Sequence, residues 1–495
     1  MRCLVTGATG YIGGRLVPGL LAAGYSVRCL VRDPSKLRDV PWAGEVEIVR
    51  GDVLNADSLH AATEGVDVLY YLVHSLSQKG FAGIDRQAAL FTAEAARDNG
   101  VGRIVYLGGL KPEGEELSDH LASRAEVGEI FLRSGVPTAV LRAAIILGSG
   151  SASFEMLRYL TERLPVMVVP KWAHNRVQPI AIRDVLRYLT GCVELPSGVN
   201  RAFDIGGPDV LTYQEMMRRY AAVSGLIRRV MVPAPVLTPR LSSHWVNLVT
   251  PVPRGIARPL IDSLVHEMVC REHDIEQYVP APPEGPVSYE RAVELALARI
   301  RDAEVPTHWA GASVPDAPAE PLPSDPEWTG GSVYTDHRRS PCAASPEALW
   351  RVVEGIGGSH GWYSFPLAWA VRGWLDRLVG GVGLRRGRRD QQRLHLGEAL
   401  DWWRVEAIER GELLRLRAEM KVPGQAWLEL AVEPVESSES SEAGSEAGST
   451  YRQRAVFVPK GLAGHLYWWS VAPFHGLVFG GMVRNIVRTA ERPKE

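Results

Sequence analysis

The sequence predicts two domains, a doubly wound α/β domain and a smaller α+β domain after it. Through about residue 150, short apolar runs alternate with helical stretches, which is typical of βαβ units around a parallel sheet. Beyond about residue 331, several strand-like runs follow one another before one long final helix, which indicates an α+β fold. The chain has 495 residues, and single hydrophobic cores usually stop growing at about 250 to 300 residues.

The elements of the first domain follow one another in a regular order. Its predicted strands are RCLVTG, SVRCLVR, EVEIVRGD, VDVLYYLVH, RIVYLGG and TAVLRAAII. Helical stretches such as GGRLVPGLLAAG and RQAALFTAEAARDNG lie between these strands. Added elements after about residue 151 continue the same domain, so we expect residues 1–302 to hold a parallel sheet and a substrate lobe.

A proline-rich segment separates the two domains. Residues 303–331 have a proline every few positions and no hydrophobic periodicity, which predicts a linker. Residues 332–495 then form the second domain. Within it, the acidic and serine-rich residues 435–450 contain almost no apolar side chains to bury, and we expect a solvated loop between two strands there.

Composition excludes several classes of protein. Hydrophobic residues make up 46% and charged residues 23% of the chain, which is typical of a globular protein. A formal net charge of -2 provides no cationic excess for phosphate backbones, so we expect no nucleic-acid partner. The five cysteines lack metal-ligand spacing, so we expect reduced thiols and no metal site.

The start lacks a secretory signal, and the expected location is cytoplasmic.

A glycine-rich turn follows the first predicted strand and opens the first helix. In such a turn the first glycine permits a tight bend, the second lets backbone amides approach a pyrophosphate, and the third allows close packing of helix and strand. The context therefore predicts a dinucleotide site. Its candidate binding residues are Thr6, Gly7, Thr9, Gly10, Tyr11, Ile12 and Gly13.

The run TGATGYIG resembles the TGxxGxxG signature of extended and atypical short-chain dehydrogenase/reductases. This resemblance covers about residues 1 to 300 and implies a Rossmann fold with NAD(P) as cofactor. Two further matches are Gly51-Asp52-Val53 after the third strand and LYYLVHS after the fourth. The resemblance implies that further residues contact the cofactor, namely Asp52, Val53, Leu72, Val73 and His74. The architecture as a whole resembles two-domain proteins of the NmrA-like branch, which carry a C-terminal domain of unknown function.

The end of the second strand distinguishes NADP from NAD. A carboxylate there binds a ribose 2′-hydroxyl, whereas a guanidinium accepts a 2′-phosphate. The chain reads LVRDPSKL, with Arg32 at the strand end and Arg28 and Lys36 nearby. We therefore expect a preference for NADP(H), although Asp33 in the next position favours NAD.

The catalytic residues that the resemblance implies are missing. This family usually transfers hydride with a Tyr-x-x-x-Lys pair and a serine or threonine, but Gly108 and Gly109 follow the fifth strand. The pair belongs on the next helix, where an alignment on Glu129 gives neither residue. In that alignment the tyrosine position falls on Ala122 or Leu121, and the lysine position falls on Glu126 or Ala125.

Other side chains near the strand ends are candidate replacements. His120 and Glu126 could present an imidazole and a carboxylate to the cofactor, and Lys111 or His74 could also face it. We keep His120, Glu126 and Lys111 as catalytic candidates. Arg142 lies where related proteins carry Arg-Pro after the sixth strand, and the SGSAS segment behind it is expected to help close the nicotinamide end.

The second domain is rich in tryptophan. Strands followed by a long last helix resemble a helix-grip, START-like domain, which implies a cavity for an apolar ligand. The arginine-rich segment GLRRGRRDQQRLHLG is compatible with a solvated basic loop or with contact to an anionic head group, a lipid surface or an acidic partner. If the domain holds no cavity, a patch of Trp468, Trp469 and Phe474 would point to a protein or membrane partner. Nine of the fourteen tryptophans follow residue 331: Trp350, Trp362, Trp369, Trp374, Trp402, Trp403, Trp427, Trp468 and Trp469.

Three functional hypotheses follow from the sequence. The first is an NADP(H)-dependent oxidoreductase that acts on an apolar or quinone-like small molecule without the usual dyad. The second is a non-catalytic NADP(H) sensor or scaffold whose C-terminal domain binds a hydrophobic ligand or partner. The third, a nucleotide-sugar epimerase, requires a proton-transfer pair that the predicted helix lacks. The oligomeric state stays open.

Overall fold

A computed structural model describes residues 1–38, 40–75, 80–112, 117–234, 249–250, 252–303, 332–357, 361–363, 393–434 and 448–492. The chain divides into an N-terminal unit, Met1–Gly330, and a C-terminal unit, Gly331–Glu495. Several sequence features lie outside the described residues: nearly all of the predicted linker, most of the serine-rich and arginine-rich segments, Trp369 and Trp374.

The N-terminal unit is built on a seven-stranded sheet with the order β11-β6-β5-β4-β1-β2-β3, in which all neighbours are parallel. This confirms the predicted Rossmann-like fold. Strands β1 to β13 are Arg2–Thr6, Ser26–Val31, Glu47–Arg50, Val68–Tyr71, Arg103–Gly109, Thr138–Ala143, Ile146–Leu147, Val166–Pro170, Arg176–Val177, Ile180–Ala181, Arg201–Ile205, Leu211–Thr212 and Val230–Ala234.

The central strands are buried on both faces, as their continuous apolar sequences require. Leu4 on β1, Tyr70 on β4 and Val105 on β5 are all completely buried. A parallel sheet is covered by its crossover helices on both sides, so its strands have no polar face. Helices α1 to α9 are Gly13–Ala22, Ala56–Thr63, Phe81–Asp98, Asp119–Leu132, Ala152–Arg163, Ile182–Gly191, Tyr213–Val223, Arg254–Ser263 and Tyr289–Ala303.

The order of the sheet determines where a ligand can bind. Strand β1 lies between β2 and β4, and from this point successive strands are added in opposite directions. Such a switch point leaves a crevice beyond the carboxyl ends of the strands, between helices on opposite faces. The second half of the unit adds short two-stranded sheets, β7 with β10, β9 with β12 and β8 with β13, around a separate apolar core.

The C-terminal unit contains a six-stranded antiparallel sheet with the order β14-β19-β18-β17-β16-β15, as the α+β prediction required. Two described helices accompany it, α10 (Pro346–Glu354) and the 30-residue α11 (Gly461–Ala490). The START-like resemblance stays a prediction. Strands β14 to β19 are Tyr334–Cys342, Ala399–Leu400, Trp403–Glu409, Leu413–Ala418, Gly424–Pro434 and Ser449–Pro459.

The tryptophans of this unit have different environments. The buried core includes four of them, Trp350, Trp362, Trp402 and Trp403. Trp468 stacks between Tyr334 and Phe457, whereas Trp469 and Phe474 are exposed on α11. Trp468 is half-buried, so the three residues of the patch inferred from the sequence are exposed to different extents. Among the described residues, no helix combines the length and the apolar character needed to cross a lipid bilayer.

Candidate functional site

The glycine-rich turn between β1 and α1 has a shape that requires glycine at two of its positions. Gly7 has a φ of 82°, and a Cβ there would lie 2.7 Å from the Leu72 carbonyl oxygen. A Cβ on Gly13 would lie 2.8 Å from the Gly7 carbonyl carbon. These two positions exclude a side chain because the protein itself occupies the space.

Gly10 differs from the other two glycines. It is exposed, and a Cβ there would meet only the Gly7 carbonyl oxygen, at 3.2 Å. The Gly10 N–H donates to that same oxygen at 2.9 Å. The fold therefore leaves open space beside Gly10, which fits the close approach of a dinucleotide pyrophosphate to the backbone.

The start of α1 leaves two backbone amides beside this space. The Gly14 and Arg15 N–H groups donate to the Gly10 and Ile12 carbonyls at 3.0 and 3.1 Å, which leaves the Ile12 and Gly13 N–H groups without a partner among the described residues. Ile12 is the N-cap, and no side chain caps the helix. An uncapped helix N-terminus presents N–H groups and the positive end of the helix dipole to an anion. Among the predicted binding residues, Tyr11 and Ile12 are partly exposed and Thr9 is half-buried at this turn.

The ends of β1 and β4 are joined at the rim of the crevice. Thr6 is buried and donates from its Oγ1 to the Tyr70 carbonyl at 3.0 Å, so its side chain is structural. The Leu72 N–H donates to the Thr6 carbonyl at 3.3 Å. Leu72 and Val73 are half-buried and His74 is exposed, so all three border the crevice after β4.

Asp52 and Val53 lie in the turn that follows β3. The Asp52 carboxylate accepts from the Leu54 N–H at 3.0 Å, and the Asp52 N–H donates to Ser58 Oγ at 3.1 Å. Both Asp52 and Val53 remain half-buried at the edge of the crevice. This position is compatible with the adenine contact that the resemblance implies.

Three charged residues just after β2 differ in exposure and in their hydrogen-bond partners. Arg32 is exposed, and no described residue pairs with it. Asp33 instead accepts from Ser35, from its N–H at 3.1 Å and its Oγ at 2.7 Å. These hydrogen bonds lower the pKa of Asp33 and use its carboxylate to cap the turn at Pro34–Leu37. Lys36 is exposed in that turn.

The sequence analysis expected Arg28 to lie near a 2′-phosphate, but the structure gives its side chain other partners. It is buried, it forms an ion pair with Glu47 at 2.9 Å, and it donates to the carbonyls of Ala62 and Glu64 at 2.7 and 2.8 Å. Arg28 therefore holds β2 against β3 and the end of α2, and a 2′-phosphate would have Arg32 as its guanidinium partner.

The candidates Glu126 and Lys111 lie in unequal positions. Glu126 on α4 accepts two hydrogen bonds from Arg86 on α3, at 2.6 and 3.0 Å. Its carboxylate therefore links the two helices. Lys111 is exposed just beyond β5. Gly108 and Gly109 end β5, and a Cβ on Gly109 would lie 3.1 Å from a Leu121 methyl carbon, so the start of α4 packs against the end of β5.

His120 lies in the first turn of α4, at this same edge of the sheet. It is partly buried, and its Nδ1 lies 2.9 Å from the Oγ of Ser263, at the end of α8. Burial, and then the charge of Arg124, lower the pKa of His120 to about 3. The imidazole is therefore neutral near pH 7, and a neutral imidazole can accept a proton.

Arg124 is a functional candidate that the sequence interpretation missed. It follows His120 by four residues, so both side chains lie on one face of α4. Its Nη1 donates to the Tyr106 hydroxyl at 3.4 Å, and among the described residues no carboxylate forms an ion pair with it. His120-x-x-x-Arg124 repeats the spacing of the Tyr-x-x-x-Lys pair. The alignment on Glu129 compared other positions of the helix, so this pair was not considered there.

Arg142 and the segment behind it have structural contacts. Arg142 on β6 forms an ion pair with the buried Asp204 on β11 at 2.8 Å. A Cβ on Gly150 would lie 3.1 Å from the Tyr11 ring, so the SGSAS loop packs against the glycine-rich turn. The Gly150 N–H donates to the buried Glu155 at 2.9 Å, which anchors the loop to α5.

Comparisons with known proteins agree with the glycine-rich turn and the sheet. Residues 7–134 match a family described as NAD(P)H-binding, and residues 328–482 match DUF2867, a family of proteins of unknown function. The chain is 32% identical over 266 residues to ceramide reductase of Caulobacter vibrioides, a match that covers 51% of this chain and 81% of that protein.

Two further similarities are more distant. Over 192 residues the chain is 29% identical to 3 beta-hydroxysteroid dehydrogenase/Delta 5-->4-isomerase of Mycobacterium tuberculosis, covering 32% of this chain and 50% of that protein. The solved triphenylmethane reductase of Citrobacter sp. is 21% identical with a TM-score of 0.49, covering 60% of this chain and 100% of that one.

The match to ceramide reductase covers most of that protein, and it agrees with the NAD(P)H-binding family match across the glycine-rich turn. The crevice, the turn and the parallel sheet are the structural features on which such a family depends. The chain therefore belongs to the NAD(P)H-binding, atypical short-chain dehydrogenase/reductase family, and its C-terminal unit is a DUF2867 domain of unknown function.

Proposed function

We propose that this chain is an NADP(H)-dependent oxidoreductase that interconverts a hydroxyl and a carbonyl group on an apolar, lipid-like molecule, with His120 as the proton carrier. The observation that carries the proposal is the pair His120 and Arg124 on one face of α4, beside the end of β5. These residues offer a neutral base and a cation at the edge where the crevice opens.

The preference for NADP(H) rests on Arg32 and Asp33. Arg32 is exposed and unpaired among the described residues, whereas Asp33 is already hydrogen-bonded to Ser35. A guanidinium suits a 2′-phosphate, and a carboxylate engaged in a cap is a poor partner for a ribose hydroxyl. Gly10 and the first turn of α1 would hold the pyrophosphate.

The chain's own residues handle the proton and the developing charge. When bound, NADP(H) supplies or accepts the hydride at the substrate carbon. In oxidation, neutral His120 accepts the hydroxyl proton. In reduction the carbonyl oxygen needs a proton, and because the lowered pKa keeps His120 neutral near pH 7, the imidazole first takes a proton from solvent and then passes it to that oxygen. Arg124 forms no ion pair with a carboxylate among the described residues, although the charge of Asp85 acts on it, and its own charge would stabilise negative charge on that oxygen.

The substrate class is supported by the relatives. Ceramide reductase and the hydroxysteroid dehydrogenase are both named for lipids that carry a hydroxyl group. A quinone-like acceptor would need the same hydride and the same proton carrier, so it belongs in the same test. The added elements after β6 supply an apolar core around which a substrate lobe can form.

The proposal is tested by following the oxidation of NADPH with a panel of long-chain keto lipids, ketosteroids and quinones. The full chain is expected to consume NADPH with at least one class, and His120→Gln is expected to lower kcat by about a hundredfold or more. Glu126→Gln is the matched control, because it changes a neighbouring carboxylate of α4 that is bound to Arg86.

Two results would contradict this function. If the chain binds NADPH but no compound of the panel is turned over, the non-catalytic sensor becomes the better account. If His120→Gln retains the wild-type kcat, His120 is not the proton carrier. NADPH affinity measured by calorimetry should stay unchanged in His120→Gln, which separates loss of chemistry from loss of the cofactor site.

A further inference from the structure

Ser263 reaches the proposed proton carrier from the other half of the N-terminal unit. It is the last residue of α8 and is buried, with 4% of its surface exposed. Its Oγ lies 2.9 Å from His120 Nδ1, 3.2 Å from Ser118 Oγ and 2.9 Å from the Pro259 carbonyl oxygen. One hydroxyl thus contacts three polar atoms on two helices.

Counting protons assigns the direction of each of these contacts. The Pro259 carbonyl can only accept, so the single proton of Ser263 goes to that oxygen. The oxygen of Ser263 is then free only to accept. Ser118 receives a hydrogen bond from the Leu121 N–H at 3.3 Å, which leaves its own hydroxyl proton available for Ser263.

The direction of the Ser263 hydrogen bonds determines which ring nitrogen of His120 carries the proton. If Ser263 gives its proton to Pro259, then the contact at His120 Nδ1 requires a proton on Nδ1. A neutral imidazole carries one proton only, and Nε2 is then left with its lone pair. Ser263 is thereby fully satisfied, with one donated and two accepted hydrogen bonds.

We infer that Ser263 is a positioning residue that fixes neutral His120 as its Nδ1-protonated tautomer, so that Nε2 is the atom that exchanges a proton with the substrate. The catalytic meaning of this inference rests on the proposed function, whereas the tautomer itself does not. In oxidation the O–H bond of the substrate breaks, its proton forms a bond to Nε2, and the hydride leaves for the nicotinamide. In reduction, Nε2 first takes a proton from solvent and then gives it to the carbonyl oxygen, while the hydride would come from the cofactor.

The tautomer can be measured without any turnover. Long-range 1H–15N NMR spectra of the full chain with 15N-labelled histidine distinguish a protonated from an unprotonated ring nitrogen, and the His120 signals are assigned by their loss in His120→Gln. We expect a protonated Nδ1 and a bare Nε2 near pH 7. A protonated Nε2 with a bare Nδ1 would overturn the inference.

Two serine variants provide matched controls. Ser263→Ala removes the acceptor at Nδ1, and we expect a mixture of tautomers or a shift towards protonated Nε2. Ser118→Ala removes a hydroxyl of the same cluster that does not contact the ring, and the Nδ1-protonated form should persist. If Ser263→Ala leaves the tautomer unchanged, Ser263 does not fix it and the inference fails.

Kinetics separate this inference from the proposed function. We expect Ser263→Ala to lower kcat about tenfold, less than removal of the base itself, with KM and NADPH affinity unchanged. Ser263→Thr retains the hydroxyl and should restore most of the rate. An unchanged kcat in Ser263→Ala, with an active wild-type chain, would overturn the positioning role while the proposed function stands.

Discussion

At the residue scale, three glycines that look equivalent in the sequence differ in the space around their Cβ positions. Gly7 and Gly13 are needed by the fold, because a Cβ at either position would overlap backbone atoms of the neighbouring turn or strand. Gly10 has only one neighbour near its Cβ position, at 3.2 Å. The TGATGYIG signature predicted a dinucleotide site from the sequence, but only the structure distinguishes the glycine with open space beside it from the two that shape the turn.

Gly10→Ala should therefore affect the cofactor more than the fold. We expect the free energy of unfolding to fall by less than about 1 kcal/mol. We expect the NADPH Kd to rise about tenfold or more, because the methyl group blocks the approach of the pyrophosphate. Chemical denaturation and calorimetric titration measure the two effects.

Gly13→Ala is the matched comparison. Its Cβ would press on the Gly7 carbonyl, so the free energy of unfolding should fall by about 2 kcal/mol. Equal NADPH affinity in Gly10→Ala and in the wild type would mean that Gly10 is only part of the turn.

Arg32→Ala tests the choice of cofactor. Loss of a charge-assisted contact with the 2′-phosphate should raise the NADPH Kd about tenfold to a hundredfold and leave the NADH Kd unchanged. Arg133→Ala removes an equally positive side chain that is 81% exposed and lies directly after α4, and it should change neither dissociation constant. Preference for NADPH in Arg32→Ala equal to that of the wild type would refute the assignment.

At the scale of elements, the strands of the parallel sheet were predictable because they are continuous apolar runs bounded by turn residues. Helix α4 was predicted in position, but the alignment on one glutamate did not consider the pair that the proposed function uses. His120 and Arg124 are separated by one turn of α4, and their four-residue spacing was visible in the sequence. The contact of His120 with Ser263 spans 143 residues, and no local pattern could predict it.

A buried ion pair on α5 supports the loop that packs against the glycine-rich turn. Arg158 and Glu155 are 1% and 0% exposed, and they form hydrogen bonds of 2.8 and 2.6 Å. Glu155→Gln leaves the buried guanidinium without its full counter-charge, so the free energy of unfolding should fall by about 3 kcal/mol. Chemical denaturation measures this loss.

Glu162→Gln serves as the control for that prediction. Glu162 also pairs with Arg158, but at 3.5 Å and with 19% of its side chain exposed. We expect its loss to lower the free energy of unfolding by about 1 kcal/mol. Equal losses in the two variants would show that the buried pair does not support the loop as described.

At the scale of the whole molecule, composition and the change of pattern near residue 331 indicated two domains, and the chain divides into Met1–Gly330 and Gly331–Glu495. Its charge and cysteine spacing led us to expect neither a nucleic-acid partner nor a metal site, but they identified no reaction. The proposed reaction uses side chains that folding brings together from α4 and α8, and their distances cannot be derived from a single sequence. The substrate is accordingly proposed from the site and the relatives together.

Transfer of a hydrogen isotope tests the central claim most directly. The full chain is incubated with NADPH that carries deuterium at the reactive nicotinamide carbon and with a total lipid extract, and the lipids are analysed by mass spectrometry. We predict that a lipid gains one deuterium on a carbon that also bears a new hydroxyl group, and that His120→Gln loses this labelling while it still binds NADPH. Unlabelled lipids in the presence of bound NADPH, or equal labelling by His120→Gln, would contradict the account.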